Sequence, residues 1–175
     1  MKKEAPRELA RRGVSVSASG DAPSDAKAQL DRFLDKYDPA IAALGRKAIA
    51  LMRKRLPGAI ELIYDNYNAL AVGFSHVDKV RDTPFSIALY PRWITLFFLH
   101  GAALPDPKGL LEGKGSTVRS IRIETTKALA ATFADKDVDA LITAGALHAG
   151  WKLDPKAKGR MIIKSSSTKQ RPRRP

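Results

Sequence analysis

WITLFFL, residues 93–99, decides the architecture. The run is too short to span a bilayer. It alternates nothing, so a strand built from it is apolar on both faces. That predicts an interior strand covered on both sides, by helices or by a partner subunit. Around it, Ile60–Asp65, Leu70–His76, Phe85–Pro91, Trp93–His100 and Thr117–Glu124 read as strands. Asp65-Asn66 and Val77–Pro84 are turn-forming breaks, and Leu104–Gly115 is a Pro/Gly loop with a short apolar insert.

Outside this run the period changes to that of helices. Ser24 is a candidate N-cap, and Leu30, Phe33, Leu34 and Tyr37 recur at helical spacing. Asp38-Pro39 starts a second helix, with Ile41, Leu44, Ala48, Met52 and Leu56 on one stripe and Pro57-Gly58 as its stop. After the strands, Thr126–Thr132 reads as a helical turn, and residues 134–149 as a helix ending at Gly150. Strands in one run with helices at the ends predict an α+β fold. It has two N-terminal helices, a five-stranded mainly antiparallel sheet and one C-terminal helix. With three helices for two sheet faces, Phe97 or Phe98 is expected to stay uncovered, which predicts a homodimer.

The chain has 175 residues, no cysteine and three histidines. Disulfides, thiol catalysis and Cys-ligated metals are excluded, and the composition favours a cytoplasmic setting. The polar N-terminus MKKEAPRELARRG carries no secretory signal, and no stretch reads as a membrane span. Of the net charge of +13, residues 152–175 hold nine Lys/Arg against one Asp. The expected organisation is a flexible arm over 1–23, an α+β domain over 24–151, and a basic, disordered tail over 152–175.

YDNYNALAVGFS (64–75), FSIALYPRWITLFFLHGAALPDPKGLLEGKG (85–115) and VRSIRIE (118–124) resemble the YdhG-like domain family of small bacterial proteins. The resemblance covers residues 27 to 150. It implies a small α+β domain with an antiparallel sheet packed by helices. It also implies a loose link to frataxin-like iron handling. In that family the loop places its lysine after a second glycine; here the order is Gly113-Lys114-Gly115-Ser116, so the reach of Lys114 differs.

Several residue groups carry candidate chemistry. GLLEGKGST is not a P-loop, because Gly109 stands only four positions before Gly113 and the loop leads into a strand. Tyr64, Asp65 and Tyr67 at one strand end, and Tyr90, Arg92 and Trp93 at another, would form a pocket rim with stacking surfaces and one carboxylate if the ends meet. Lys114, Arg119 and Arg122 are candidate anion contacts. Arg119 and Arg122 point to opposite faces, so one is expected to pair with Asp65 or Glu61. Asp31, Asp35 and Asp38 fall on one stripe that could attract a hard cation such as iron. The plain alternatives are a turn, a Gly-rich loop and a solvated helix face. His76, His100 and His148 share no metal-ligand spacing.

No catalytic constellation is visible and no cofactor is indicated. The reading is a non-catalytic binding or carrier domain, for a metal or small anion. The rival is a nucleic-acid-associated protein whose tail residues Lys164, Lys169, Arg171, Arg173 and Arg174 contact phosphates without sequence preference.

Overall fold

The computed structural model describes residues 23–175; the expected arm over 1–23 lies, but for Pro23, outside the described residues. Helices α1 (Pro23–Leu34) and α2 (Pro39–Arg55) lead into strands β1 (Ile60–Asp65), β2 (Leu70–Ser75), β3 (Phe85–Leu89), β4 (Ile94–Phe98) and β5 (Arg119–Ile123). Helices α3 (Thr126–Ala134) and α4 (Lys136–His148) follow, then strand β6 (Arg160–Ser166). The fold is α+β. The sheet order is β5-β4-β3-β2-β1-β6, antiparallel throughout except for the parallel β1–β6 pair. The WITLFFL strand is interior, as its composition requires.

Two corrections follow. Thr126–Ala134 is a helix in its own right, capped by the Thr125 hydroxyl accepting from the Ala128 N–H, so two helices follow β5. The segment 152–175 is not a disordered tail: Arg160–Ser166 pairs along the whole of β1. Its MII core supplies Met161 and Ile163 to the buried cluster beneath the helices. A seven-residue strand with two apolar anchors orders a segment whose mean charge argued against order.

The helices share one face of the sheet. Gly45 of α2 lies where a Cβ would stand 2.6 Å from Leu89, and Gly145 of α4 where one would stand 2.8 Å from Phe85. Phe85 and Leu89 point to the same face of β3. Ile94, Leu96 and Phe98 face the same core, while Thr95 and Phe97 face away. Phe98, one of the two rings expected to await a partner subunit, is therefore fully buried, and only Phe97 is left half-buried on the open face. A second layer of helices is replaced there by small floor residues, Ala71, Ser86 and Ala88.

Tyr37, between α1 and α2, ties the helices to the sheet. Its hydroxyl donates to the Leu89 carbonyl and accepts from the Leu70 N–H, both at 2.9 Å, and the residue is 1% exposed. Burial pushes its pKa up to about 12, with the Leu70 bond opposing. A folded-state pKa above the unfolded value near 10 gives stability that is complete below pH 10 and lost as pH rises toward 12. Two units correspond to roughly 2–3 kcal/mol. Urea unfolding at pH 9 and pH 11.5 should show an alkaline loss that Tyr37→Phe reduces by about that amount. At pH 7 the same substitution should cost about 1–3 kcal/mol, through the stranded Leu70 N–H and Leu89 carbonyl.

Candidate functional site

The β1–β2 turn closes with Asn66 N–H donating to Ala69 (3.0 Å), and the β3–β4 turn with Tyr90 N–H donating to Trp93 (2.9 Å). Because Asp65 pairs with Leu70, Leu70 with Leu89 and Leu89 with Ile94, both turns lie at one end of the sheet. The chain leaving β6 arrives at the same end. Ser167 N–H donates to the Asp65 carbonyl (2.8 Å) and Arg171 N–H to the Tyr67 carbonyl (2.9 Å). Three chain segments thus converge on a cleft of about 770 Å³. Its walls carry Arg92, Arg171 and Arg174 with Tyr90, Trp93, Asn68 and Pro175, and no Asp or Glu side chain among the described residues lines it.

The rings are organised. Tyr90 and Trp93 stack at 5.2 Å, and the Arg122 guanidinium sits 3.9 Å over the Trp93 ring. Glu124 holds Arg122 there at 2.8 Å. Tyr67, 42% exposed, has Arg171 5.7 Å above its ring. Arg92 is exposed and has no ion pair among the described residues. Arg174 is anchored through the carbonyls of Asp35 and Lys36, each at 3.3 Å. Asn68 and Tyr90 also line a second hollow of about 440 Å³, on the open face above Ala71, Ser86, Ala88 and Phe97.

The two strand ends named from sequence do meet, but not every residue joins the rim. Asp65 faces the helices with no exposure at all, held by Lys36 (2.5 Å) and Arg173 (3.0 Å). Arg173 also donates to the Asn66 carbonyl, and its Nε and Nη1 find no hydrogen-bond partner among the described residues. With its side chain 4% exposed, Arg173 is structural and not a phosphate contact. Tyr64 also stands outside the cleft, half-buried near Lys164 and Asp78, and burial raises its pKa. Lys164 is paired with Asp78 at 2.8 Å, and Lys169 is exposed outside the cleft.

The remaining candidates disperse. Arg119 donates to the carbonyls of Gly115 (2.6 Å) and Val118 (2.8 Å), so it braces its own loop. Neither Arg119 nor Arg122 reaches Asp65 or Glu61. Glu61 is taken instead by Arg53, in a two-pronged pair at 2.6 and 2.8 Å. Lys114 is exposed on the loop before β5 and does not line the cleft. Asp31 and Asp35 both pair with Arg46, at 3.4 and 2.7 Å. Asp38 caps α2 by accepting from the Ala40 N–H. Among the described residues no group of three or more His, Asp or Glu side chains is arranged to hold a metal ion. The acidic stripe is therefore spent on an arginine and a helix cap.

Sequence reasoning missed Arg171 and Arg174 as members of this rim, having placed them in a tail. The signal was RMIIKSS, whose apolar centre marks a strand that would carry them back to the sheet. No helix among the described residues is long and apolar enough to cross a membrane. Searches with protein-family models, curated proteins and solved structures return no match to this chain.

Proposed function

We propose that this chain is a non-catalytic binding domain, of the YdhG-like type its sequence resembles, that holds single-stranded nucleic acid across the turn end of the sheet. The observation behind this is the cleft in which three arginines from two distant segments surround stacked rings, with no Asp or Glu side chain in the described lining. Cations that track phosphates, set among rings that stack on bases, are what single-strand binding requires. Tyr67 offers an exposed ring face, Arg92 and Arg171 offer charge, and the hollow beside Tyr90 gives a base an apolar seat. The Tyr90–Trp93–Arg122 column is already stacked, so it serves as a rigid wall. This replaces the picture of a disordered basic tail: the cations act from a fold, at fixed spacing.

The test is fluorescence anisotropy with a labelled oligo-dT of about 12 nucleotides, within the 4–16 nucleotides usual for such sites. Binding should weaken linearly with log salt, each lost phosphate contact lowering the slope by about 0.7 for a single strand. Arg92→Ala should lower the slope by about one such contact. Tyr67→Ala should cost about 1–3 kcal/mol, the worth of one base stacked on an aromatic ring. Heparin, a polyanion without bases, should be indifferent to Tyr67→Ala. Oligonucleotide affinity unchanged in both variants sinks the reading.

A further inference from the structure

β6 ends the sheet order and pairs with β1 on one side; among the described residues no further strand pairs with its other side. Its seven residues, Arg160–Ser166, include no proline. Arg160 gives its N–H to the Ala59 carbonyl at 3.2 Å, toward β1. Backbone groups alternate in direction along a strand, so Met161 and Ile163 turn their N–H and C=O outward. An open row of such groups is a template for another strand. Met161, Ile162 and Ile163 are each half-buried, which gives an added strand apolar flanks on both faces. The ends of this edge are cationic. Lys156, Lys158 and Arg160 at its start and Lys169 beyond its end are exposed, and none has a side-chain ion pair among the described residues. Lys164, within the strand, is paired with Asp78 at 2.8 Å. The one acidic residue of 152–175, Asp154, accepts the Lys156 N–H at 2.9 Å. A cavity of about 500 Å³ adjoins the start of the edge, lined by Arg160 and Met161 with Lys27 of α1 and Arg53 of α2. Glu61 also lines it, but Arg53 holds both of its oxygens.

We propose that the outer edge of β6 docks an extended, acidic segment of a partner protein, which lengthens the six-stranded sheet by one strand. In this mode main-chain hydrogen bonds supply affinity, and pockets beside the edge select side chains. The cations at both ends of the edge match a negatively charged segment, and the cavity beside Met161 receives one of its carboxylates. A second copy of this chain is a poor occupant. Paired antiparallel, it sets Lys156, Lys158 and Arg160 of one strand beside Lys169 of the other, and like charges opposed across strands repel. Nucleic acid also matches the edge poorly, because the outward carbonyls require a row of N–H donors, which phosphates lack. The proposal is independent of the nucleic-acid reading, since this cavity and the arginine-lined cleft share no residue.

The experiment is fluorescence anisotropy of the full chain with a labelled peptide of about six residues, alternating Glu and Val, the usual length of a strand. A counterpart N-methylated at every residue keeps the charge and loses the N–H donors; a third peptide alternates Lys and Val. The expected result is binding of the first peptide alone. Arg160→Glu should weaken it roughly tenfold or more, as reversal of a facing charge does. Arg160 is exposed, and an unchanged circular dichroism spectrum establishes that the variant folds. Arg92→Ala, at the other end of the sheet, should leave peptide affinity unchanged. Absence of binding, equal binding of the methylated peptide, or equal affinity in wild type and Arg160→Glu overturns the proposal. Loss of peptide binding in Arg92→Ala overturns it by moving the peptide to the cleft. Displacement of the peptide by oligo-dT would give the edge to nucleic acid, and self-association on sedimentation that Arg160→Glu alters would give it to a second copy; either overturns it.

Discussion

Asp65→Ala should lower the unfolding free energy by about 3–5 kcal/mol, the usual effect of leaving a buried charge without its partner. For a chain of this length that is roughly 6–20 °C in Tm. The reason lies with Arg173 more than with Lys36. The Lys36 side chain is 38% exposed and can turn to water; the Arg173 side chain, at 4%, cannot. Removing the carboxylate strands a guanidinium whose Nε and Nη1 already lack partners. Two comparisons isolate this cause. Lys36→Met should cost about 1 kcal/mol or less, as partly exposed pairs do. Asp65→Ala combined with Arg173→Met should be less destabilised than Asp65→Ala alone, because no buried charge remains. Urea unfolding of the four proteins measures all of this. A single-variant loss below about 1 kcal/mol would mean that water reaches the cluster.

The sheet was legible because its strands are local. Ile60–Asp65, Leu70–Ser75 and Phe85–Leu89 are short apolar runs bounded by turns, and each pairs with its sequence neighbour. β6 was hidden for the opposite reason. It pairs in parallel with β1, roughly a hundred residues away, and a parallel partner leaves no hairpin signature. Its charged flanks dominate any composition window, and only Met161–Ile163 betray it. The candidate rim was half legible. Turn residues Tyr67, Tyr90, Arg92 and Trp93 were found by composition at strand ends. Asp65 was misplaced because alternation along β1 gives a side chain's face but not which face the helices choose. The convergence of His76, His100 and His148 on one cavity was not legible either, because two strands and a helix deliver them from distant positions in the sequence. The same limit applied to Glu61, whose partner is Arg53 from the preceding helix and not an arginine of β5.

A chain ending at Pro155 should fail to reach the stability of the full chain, and should aggregate at concentrations where the full chain does not. Removing Lys156–Pro175 deletes β6, so β1, an interior strand, becomes an edge with a row of unpaired backbone groups. Met161 and Ile163 no longer cover the cluster containing Ile63. The Gln170 and Ser167 bonds to the Asp65 carbonyl vanish, and Asp65 keeps only its half-exposed lysine. Losing the buried partner costs up to about 3–5 kcal/mol, the full figure applying only where no partner remains. Against a total stability of roughly 5–15 kcal/mol, that leaves little margin before the lost strand pairing is counted. Size-exclusion chromatography and thermal melts decide it. A truncated chain that keeps the oligomeric state of the full chain and melts within about 2 °C of it would show that β6 contributes nothing in solution, since a full strand and a buried pair should move Tm several-fold further. The result also governs how the nucleic-acid reading is tested. Loss of oligonucleotide binding on truncation would follow equally from a lost contact or from a lost fold. Arg92→Ala and Tyr67→Ala, which change exposed side chains and leave β6 in place, separate the two.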